Sequence, residues 1–331
     1  MFAELWHQSL GPAGPLALSV TDDLVLIGGG TAPLVARAVD DGHDVWTSSL
    51  VPIARPVSGD HLVFVASADR LSALDEEKGA VRWQDDVPSP AGALIWRSGW
   101  LFVSTSQALR AYRAADGTRL WRYPWPAAIA SGPVINGDRL VAGLADTTVV
   151  CLDIKTTNEV WRTPPLGFQI GSMLAANGRV YFGGSDGNVH ARDDQRGQWL
   201  WDFRARAGII GAPVADAAHL YVTLLDNTVR ALDAESGTQR WSQPLGARAV
   251  PGLLLLPELL AVPLASGDLL TCPPKTCKPA RSVTFPTPPD APPGFFHRLE
   301  AVAASPDGRR AFLVTASLQE ERTLTAMTRP K

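Results

Sequence analysis

Few residues in this chain have types and spacings that could do chemistry. GGSDG at 183–187 matches the G-x-S-x-G pattern, in which a serine, here Ser185, would act as a nucleophile. That chemistry needs a sharp strand-to-helix turn to expose the hydroxyl. The same five positions read LLDNT (224–228) in the following stretch, so the segment is expected to be a hairpin turn. GGGT at 28–31 could cradle a phosphate only by opening a helix, and no helical pattern follows it. The six histidines, His7, His43, His61, His190, His219 and His297, show neither H-x-H nor H-E-x-x-H spacing. They read as residues of strand surfaces and turns. The sequence therefore predicts no catalytic residue, no metal, no cofactor and no enzyme activity.

The cysteines carry more information. Cys272 and Cys277 flank PPKT, where neighbouring segments carry an Asp–Gly hairpin. Residues facing each other across a hairpin have the Cβ separation that a disulfide needs. The rival reading, a C-x4-C metal half-site, has no second half. A bridge would place the chain in an oxidising compartment. Cys151 stands where related segments have Ala, and reads as a small buried thiol.

What positions these residues is a repeat. Trp46, Trp83, Trp121, Trp161, Trp201 and Trp241 are separated by 37, 38, 40, 40 and 40 residues, and Trp6 precedes Trp46 by another 40. The segments that end on them align without gaps, from ALDEEKGAVRW (73–83) to ALDAESGTQRW (231–241). An Asp stands eight before the Trp at Asp75, Asp153, Asp193 and Asp233, and a Gly four before it at Gly79, Gly117, Gly197 and Gly237. The carboxylate can accept from backbone N–H groups two and three residues on, closing an Asx-type turn. The Gly supplies positive φ in a tight hairpin. The Trp offers a flat face to the neighbouring unit and an N–H to a hydrogen bond. Arg113 and Thr157 are departures from the Asp and the Gly.

Each unit contains a second hairpin upstream and an inner strand before that, which makes four strands in about 40 residues, the unit of a β-propeller blade. The repeats run approximately 11–50, 51–88, 89–126, 127–166, 167–207, 208–246 and 247–287. Residues 297–330 offer three further strands, and 2–10, with Trp6 in the docking position, can supply the fourth. The expected fold is an all-β, eight-bladed propeller of four-stranded antiparallel blades, a single domain over 2–330. Its ring would be closed by the N-terminal strand pairing with the C-terminal blade. Seven blades is the alternative if the terminal segments do not pair.

Composition agrees with strands and turns: 29 Gly, 27 Pro and 11 Trp against 3 Met, with 46% hydrophobic residues. A net charge of -3 gives no reason to expect a nucleic-acid partner. No run of 18 apolar residues is present to span a membrane as a helix. MFAELWHQSL lacks the basic and apolar regions of a signal peptide. Because residues 2–10 are needed by the fold, any targeting segment is expected upstream of them.

The pattern A-x-D-x-x-x-G-x-x-x-W resembles the repeat of pyrroloquinoline-quinone (PQQ) type propellers, over roughly residues 2–285. The resemblance implies one of two classes. Quinoprotein dehydrogenases of this type hold the quinone beneath a vicinal cysteine pair and behind long insertions, and this chain has neither. Cofactor-free scaffolds, typified by the propeller lipoprotein of outer-membrane β-barrel assembly, are similar in length and blade count. The resemblance thus implies a non-catalytic interaction scaffold of the bacterial envelope, periplasmic and lipid-anchored through a removed N-terminal segment, a monomer within a larger complex of envelope proteins. A ligand-binding or sensor ectodomain is the alternative function, a reduced PQQ-dependent dehydrogenase stands third, and a cytoplasmic location is the alternative placement.

The linkers that follow each docking Trp should gather on one face. They contain Arg55, Arg204, Arg206 and Arg248 beside Trp125 and Phe168. Arg and aromatic residues are common interface anchors, which makes this rim the candidate partner-binding surface. The alternative is that the arginines are solvated loop charges and the aromatics pack between blades.

Overall fold

A computed structural model of the chain describes residues 3–11, 17–88, 90–278, 280–283, 298–316 and 322–328. These residues form strands, turns and loops with no helix. Thirty-two strands assemble into eight four-stranded antiparallel sheets, which defines an eight-bladed β-propeller. Seven sheets follow chain order, spanning 17–47, 57–86, 90–124, 129–162, 170–204, 209–244 and 254–283. The eighth combines Arg298–Ala304, Arg310–Ala316 and Arg322–Thr328 with the N-terminal strand Ala3–Gly11. That strand pairs with Arg322–Thr328 from Ala3 opposite Thr328 to Gly11 opposite Arg322. The count is therefore eight, not seven. The Pro-rich segment 286–296 and His297 lie outside the described residues.

Two compact units divide the chain: 1–124 with 285–331, and 125–284. The first holds sheets one to three and the eighth; the second holds sheets four to seven. The second strand of each sheet is almost wholly buried, as in Leu62–Ala66, and third strands such as Val149–Asp153 are largely so. Continuous runs such as LVFVA have apolar side chains for both faces, which suits a strand covered on each side. Outer strands such as Gln239–Pro244 alternate exposed and half-buried residues, because only one face is covered.

The docking tryptophans join successive sheets inside each unit. Trp6, Trp46 and Trp83 donate Nε1–H to the carbonyls of Val39, Glu76 and Ala114, at 3.1, 2.7 and 2.8 Å. Trp161, Trp201 and Trp241 donate to Asp194, Ala234 and Pro274, at 2.9, 3.2 and 2.9 Å. Each acceptor lies in the outer hairpin of the next sheet. Trp46 and Trp201 are buried, and loss of either indole costs about 3–5 kcal/mol. Trp121 differs: its Nε1 is buried with no hydrogen-bond partner.

The hairpin glycines have a second role that turn chemistry alone does not reveal. Gly237 adopts φ +72°, and a Cβ placed on it would lie 2.5 Å from the ring of Trp201. Gly42, Gly79, Gly117 and Gly197 occupy the same position against Trp6, Trp46, Trp83 and Trp161. The residue must be small because the preceding sheet's indole lies directly on it. The Asp residues act as carboxylate acceptors for the turn: Asp233 Oδ1 receives the N–H groups of Glu235 and Ser236 at 3.1 and 2.8 Å. Asp75, Asp153 and Asp193 accept from the equivalent pairs of N–H groups.

Candidate partner-binding rim

Within the second unit, the linkers and the turns between second and third strands form one hydrogen-bonded belt. Each linker first bonds the turn of the sheet it leaves: Leu166 N–H to Thr147 O, Ala205 N–H to Gly187 O and Leu245 N–H to Asn227 O, at 3.0, 3.1 and 2.8 Å. It then receives a bond from the turn of the sheet it enters: Ser185 N–H to Gln169 O, Leu225 N–H to Gly208 O and Ala265 N–H to Arg248 O, at 2.9, 2.8 and 2.7 Å. Thr147, Gly187, Asn227 and Gly267 all take positive φ at matching turn positions. Such backbone pairing holds the loops to a rigid edge and aims their side chains outward. Ser185 belongs to this belt as a turn residue; its Oγ accepts the Gln169 N–H at 3.0 Å.

Arg204, Arg206 and Arg248 are exposed along the belt, and among the described residues they take part in no ion pair. By contrast, Arg230 and Arg240 of the sixth sheet are neutralised by Asp226 and Asp233. In the first unit Arg55, in the linker before the second sheet, is also without an ion pair, and desolvation draws its pKa below the usual arginine range.

The aromatic half of the predicted rim needs correction. Trp125 is only 7% exposed. It stands four residues after a docking Trp, a position filled elsewhere by buried Val87, Ala205 and Leu245, so it packs inward. Phe168 is half-buried and stacks on His190, with ring centroids 4.4 Å apart and planes 8° from parallel. In these linkers and turns, exposed apolar side chains include Ile53 beside Arg55 and Leu225 in a rim turn, about half exposed in each case. Leu225 went unnoticed because turn leucines have no sequence signature, although aligned turns carry Ala145, Ser185 and Ala265 there.

His190 departs from the expected surface histidine. It is 1% exposed, with Nδ1 2.5 Å from Asp202 Oδ1 and Nε2 3.2 Å from Asp186 Oδ1. Asp202 faces it across the strand pair, and Asp186 comes from the turn. Burial pushes the Asp202 carboxyl up, against the pull of the imidazole. Gly184 is required here, since a Cβ on it would lie 2.2 Å from Asp186 Oδ1 and 2.8 Å from His190 Nε2. Phe168 lies over the His190 ring, so this cluster ties the 163–169 linker to its sheet.

The cysteines come together as the hairpin reading expected, with Sγ atoms 2.04 Å apart. Cys277 occupies the glycine position at φ 49°, and its N–H bonds Pro273 O at 2.8 Å, matching the Gly237 bond to Asp233 O at 2.9 Å. The carbonyl that receives Trp241 lies inside the same loop. Cys151 is fully buried, and burial pushes its thiol up to about 12, which keeps it protonated and inert.

Four-stranded blades, Trp-terminated repeats and a loop rim define a PQQ-type propeller. The chain matches the family described as outer membrane protein assembly factor BamB over residues 3–99, 34–169, 105–201 and 169–328, and it belongs to that family. It is 24% identical over 236 residues to the BamB of Burkholderia pseudomallei, covering 64% of this chain and 62% of that protein. Identity to the BamB of Yersinia pestis is 25% over 229 residues, covering 66% and 50%. The matched part thus spans between half and two thirds of these relatives. The crystal structure of BamB from Moraxella catarrhalis shares the fold, with a TM-score of 0.73 at 15% identity over 99% of this chain and 98% of that one.

Proposed function

We propose that this protein is a non-catalytic interaction scaffold of the bacterial cell envelope that serves outer-membrane protein assembly through its loop rim. The observation that carries the reading is the set of unpaired, exposed arginines Arg204, Arg206 and Arg248 on a belt of backbone hydrogen bonds, with Leu225 among them. A rigid edge presents these groups with little ordering cost, and uncompensated guanidinium groups favour a partner that brings carboxylates. Family membership supports the assembly role, and the Cys272–Cys277 bridge supports a periplasmic location.

The test is recovery of envelope proteins on the tagged chain, compared with a copy carrying Arg204→Ala, Arg206→Ala and Arg248→Ala. Capture of assembly-machinery proteins by the native chain and their loss with the triple variant is the expected result. Equal capture by both forms would remove the rim from the proposal, and capture by neither would remove the scaffold role.

A further inference from the structure

On the third sheet, two cations face each other across a strand pair. Arg110, in the third strand Ala108–Arg113, lies directly opposite Arg122 in the outer strand Arg119–Pro124. Side chains directly opposite in an antiparallel pair have Cβ atoms about 5 Å apart, and like charges there are destabilising.

The same register position is compensated in the other sheets that carry a charge. His190 faces Asp202 and reaches Asp186. Arg230 faces Ser242 and binds the turn carboxylate Asp226, and Arg162 faces Val150 and binds Glu159. In the third sheet the turn residue aligned with Asp146, Asp186 and Asp226 is Ser106, so the carboxylate that would neutralise Arg110 is missing. Among the described residues neither Arg110 nor Arg122 makes an ion pair. The one bond Arg110 donates is a long one, from Nη1 to the Asp86 carbonyl at 3.4 Å, and its Nε is buried without a partner.

These residues border a groove of about 300 Å³ lined by Arg110, Tyr112, Arg119, Trp121 and Arg122. Arg119 is held by both oxygens of Asp85. Tyr112 is fully buried, with its hydroxyl beside Asp85 and Arg110. The groove therefore carries two cationic charges in excess, Arg110 and Arg122, and a buried donor, Arg110 Nε, without a partner.

We propose that the Arg110–Arg122 groove binds a tetrahedral oxyanion, the phosphate of a free small molecule or of a lipid headgroup. Guanidinium forks match phosphate oxygens in bidentate geometry, and a group carrying up to two negative charges balances two facing cations.

Inorganic phosphate is titrated into the full chain by calorimetry at constant ionic strength with chloride as control. Vesicles of phosphatidylcholine, with and without phosphatidylglycerol, form the second arm. Binding of phosphate, weakened about tenfold or more in Arg110→Gln/Arg122→Gln, is expected, since two charge-assisted bonds are lost. Arg122→Gln alone, at an exposed site, weakens it several-fold. Arg204→Gln, on the rim, leaves it unchanged, which keeps this result separate from the scaffold test. Binding to phosphatidylglycerol vesicles but not to free phosphate assigns the headgroup as the source. In low-salt buffer without phosphate, the double variant unfolds at the same temperature as the native chain or higher, because a like-charge pair has gone. Absence of binding in both arms, equal binding by the double variant, or its lower unfolding temperature without anion overturns the proposal.

Discussion

Replacing Gly237 with Ala separates the two reasons for glycine in the outer hairpin. Gly178 provides the matched control: both residues adopt φ +72°, but a Cβ on Gly178 meets nothing within 4 Å, whereas one on Gly237 lies 2.5 Å from the Trp201 ring. Holding Ala in the left-handed region costs about 1–2 kcal/mol, offset by about 0.4–1 kcal/mol from the stiffer unfolded chain. Gly178→Ala should therefore cost about 1 kcal/mol. Gly237→Ala bears that cost and also displaces an indole, which adds about 1–3 kcal/mol of overpacking. The Trp201 bond to Ala234 O, at 3.2 Å, is strained or lost in the process, for about 1 kcal/mol more. The difference between the variants is then about 2–4 kcal/mol, read from urea unfolding followed by far-ultraviolet circular dichroism. Equal loss in the two variants would refute the steric half of the argument and leave only the backbone conformation.

Reduction of the Cys272–Cys277 bridge, or the Cys272→Ser/Cys277→Ser variant, should lower stability by about 2 kcal/mol, the loop-closure entropy expected for so short a loop; urea midpoints with and without reductant measure it. His190→Leu leaves Asp186 and Asp202 without their shared partner and should cost about 2–3 kcal/mol, with faster amide exchange in the 163–169 linker by mass spectrometry as its local signature. The carboxyls of Asp75 and Asp233, paired with Arg82 and Arg240, and of Asp153, held by the Thr156 N–H, lie below the usual range. Because their folded pKa values are depressed, they stabilise the fold above about pH 4 and this contribution is lost as pH falls through the folded values. Urea midpoints should be level from pH 7 to 5 and fall below about 4, less steeply in Asp233→Asn than in the native chain.

The blade plan was legible in the sequence because it rests on local chemistry. Trp, Gly and Asp at fixed offsets each answer a requirement of one hairpin, and the leftover strands at the two ends could be matched by counting. The Gly–Trp contact was not legible, since it joins residues of successive repeats and appears only once the sheets stack. His190 was misread for a related reason. Its carboxylate partners stand four and twelve residues away, and only the cross-strand register makes them neighbours. Trp125 looked like a loop aromatic because it sits between prolines, yet its place four residues after Trp121 already matched the buried series of Val87 and Leu245. The rim arginines could be located but not ranked, because whether a cation is paired depends on the turn residues of its own sheet.

The pairing of the first strand with the last has a mechanical side. Ala3 lies opposite Thr328, so both ends of this ladder that lead to the chain termini leave from the same side of the sheet. A force applied between the two ends would load the hydrogen bonds one rung at a time, from Ala3 toward Gly11, and not all together in shear. The eighth sheet is therefore the seam at which the protein opens under tension. The loss of Trp6 from Val39 and Gly42 as the strand peels away would carry the failure into the first sheet.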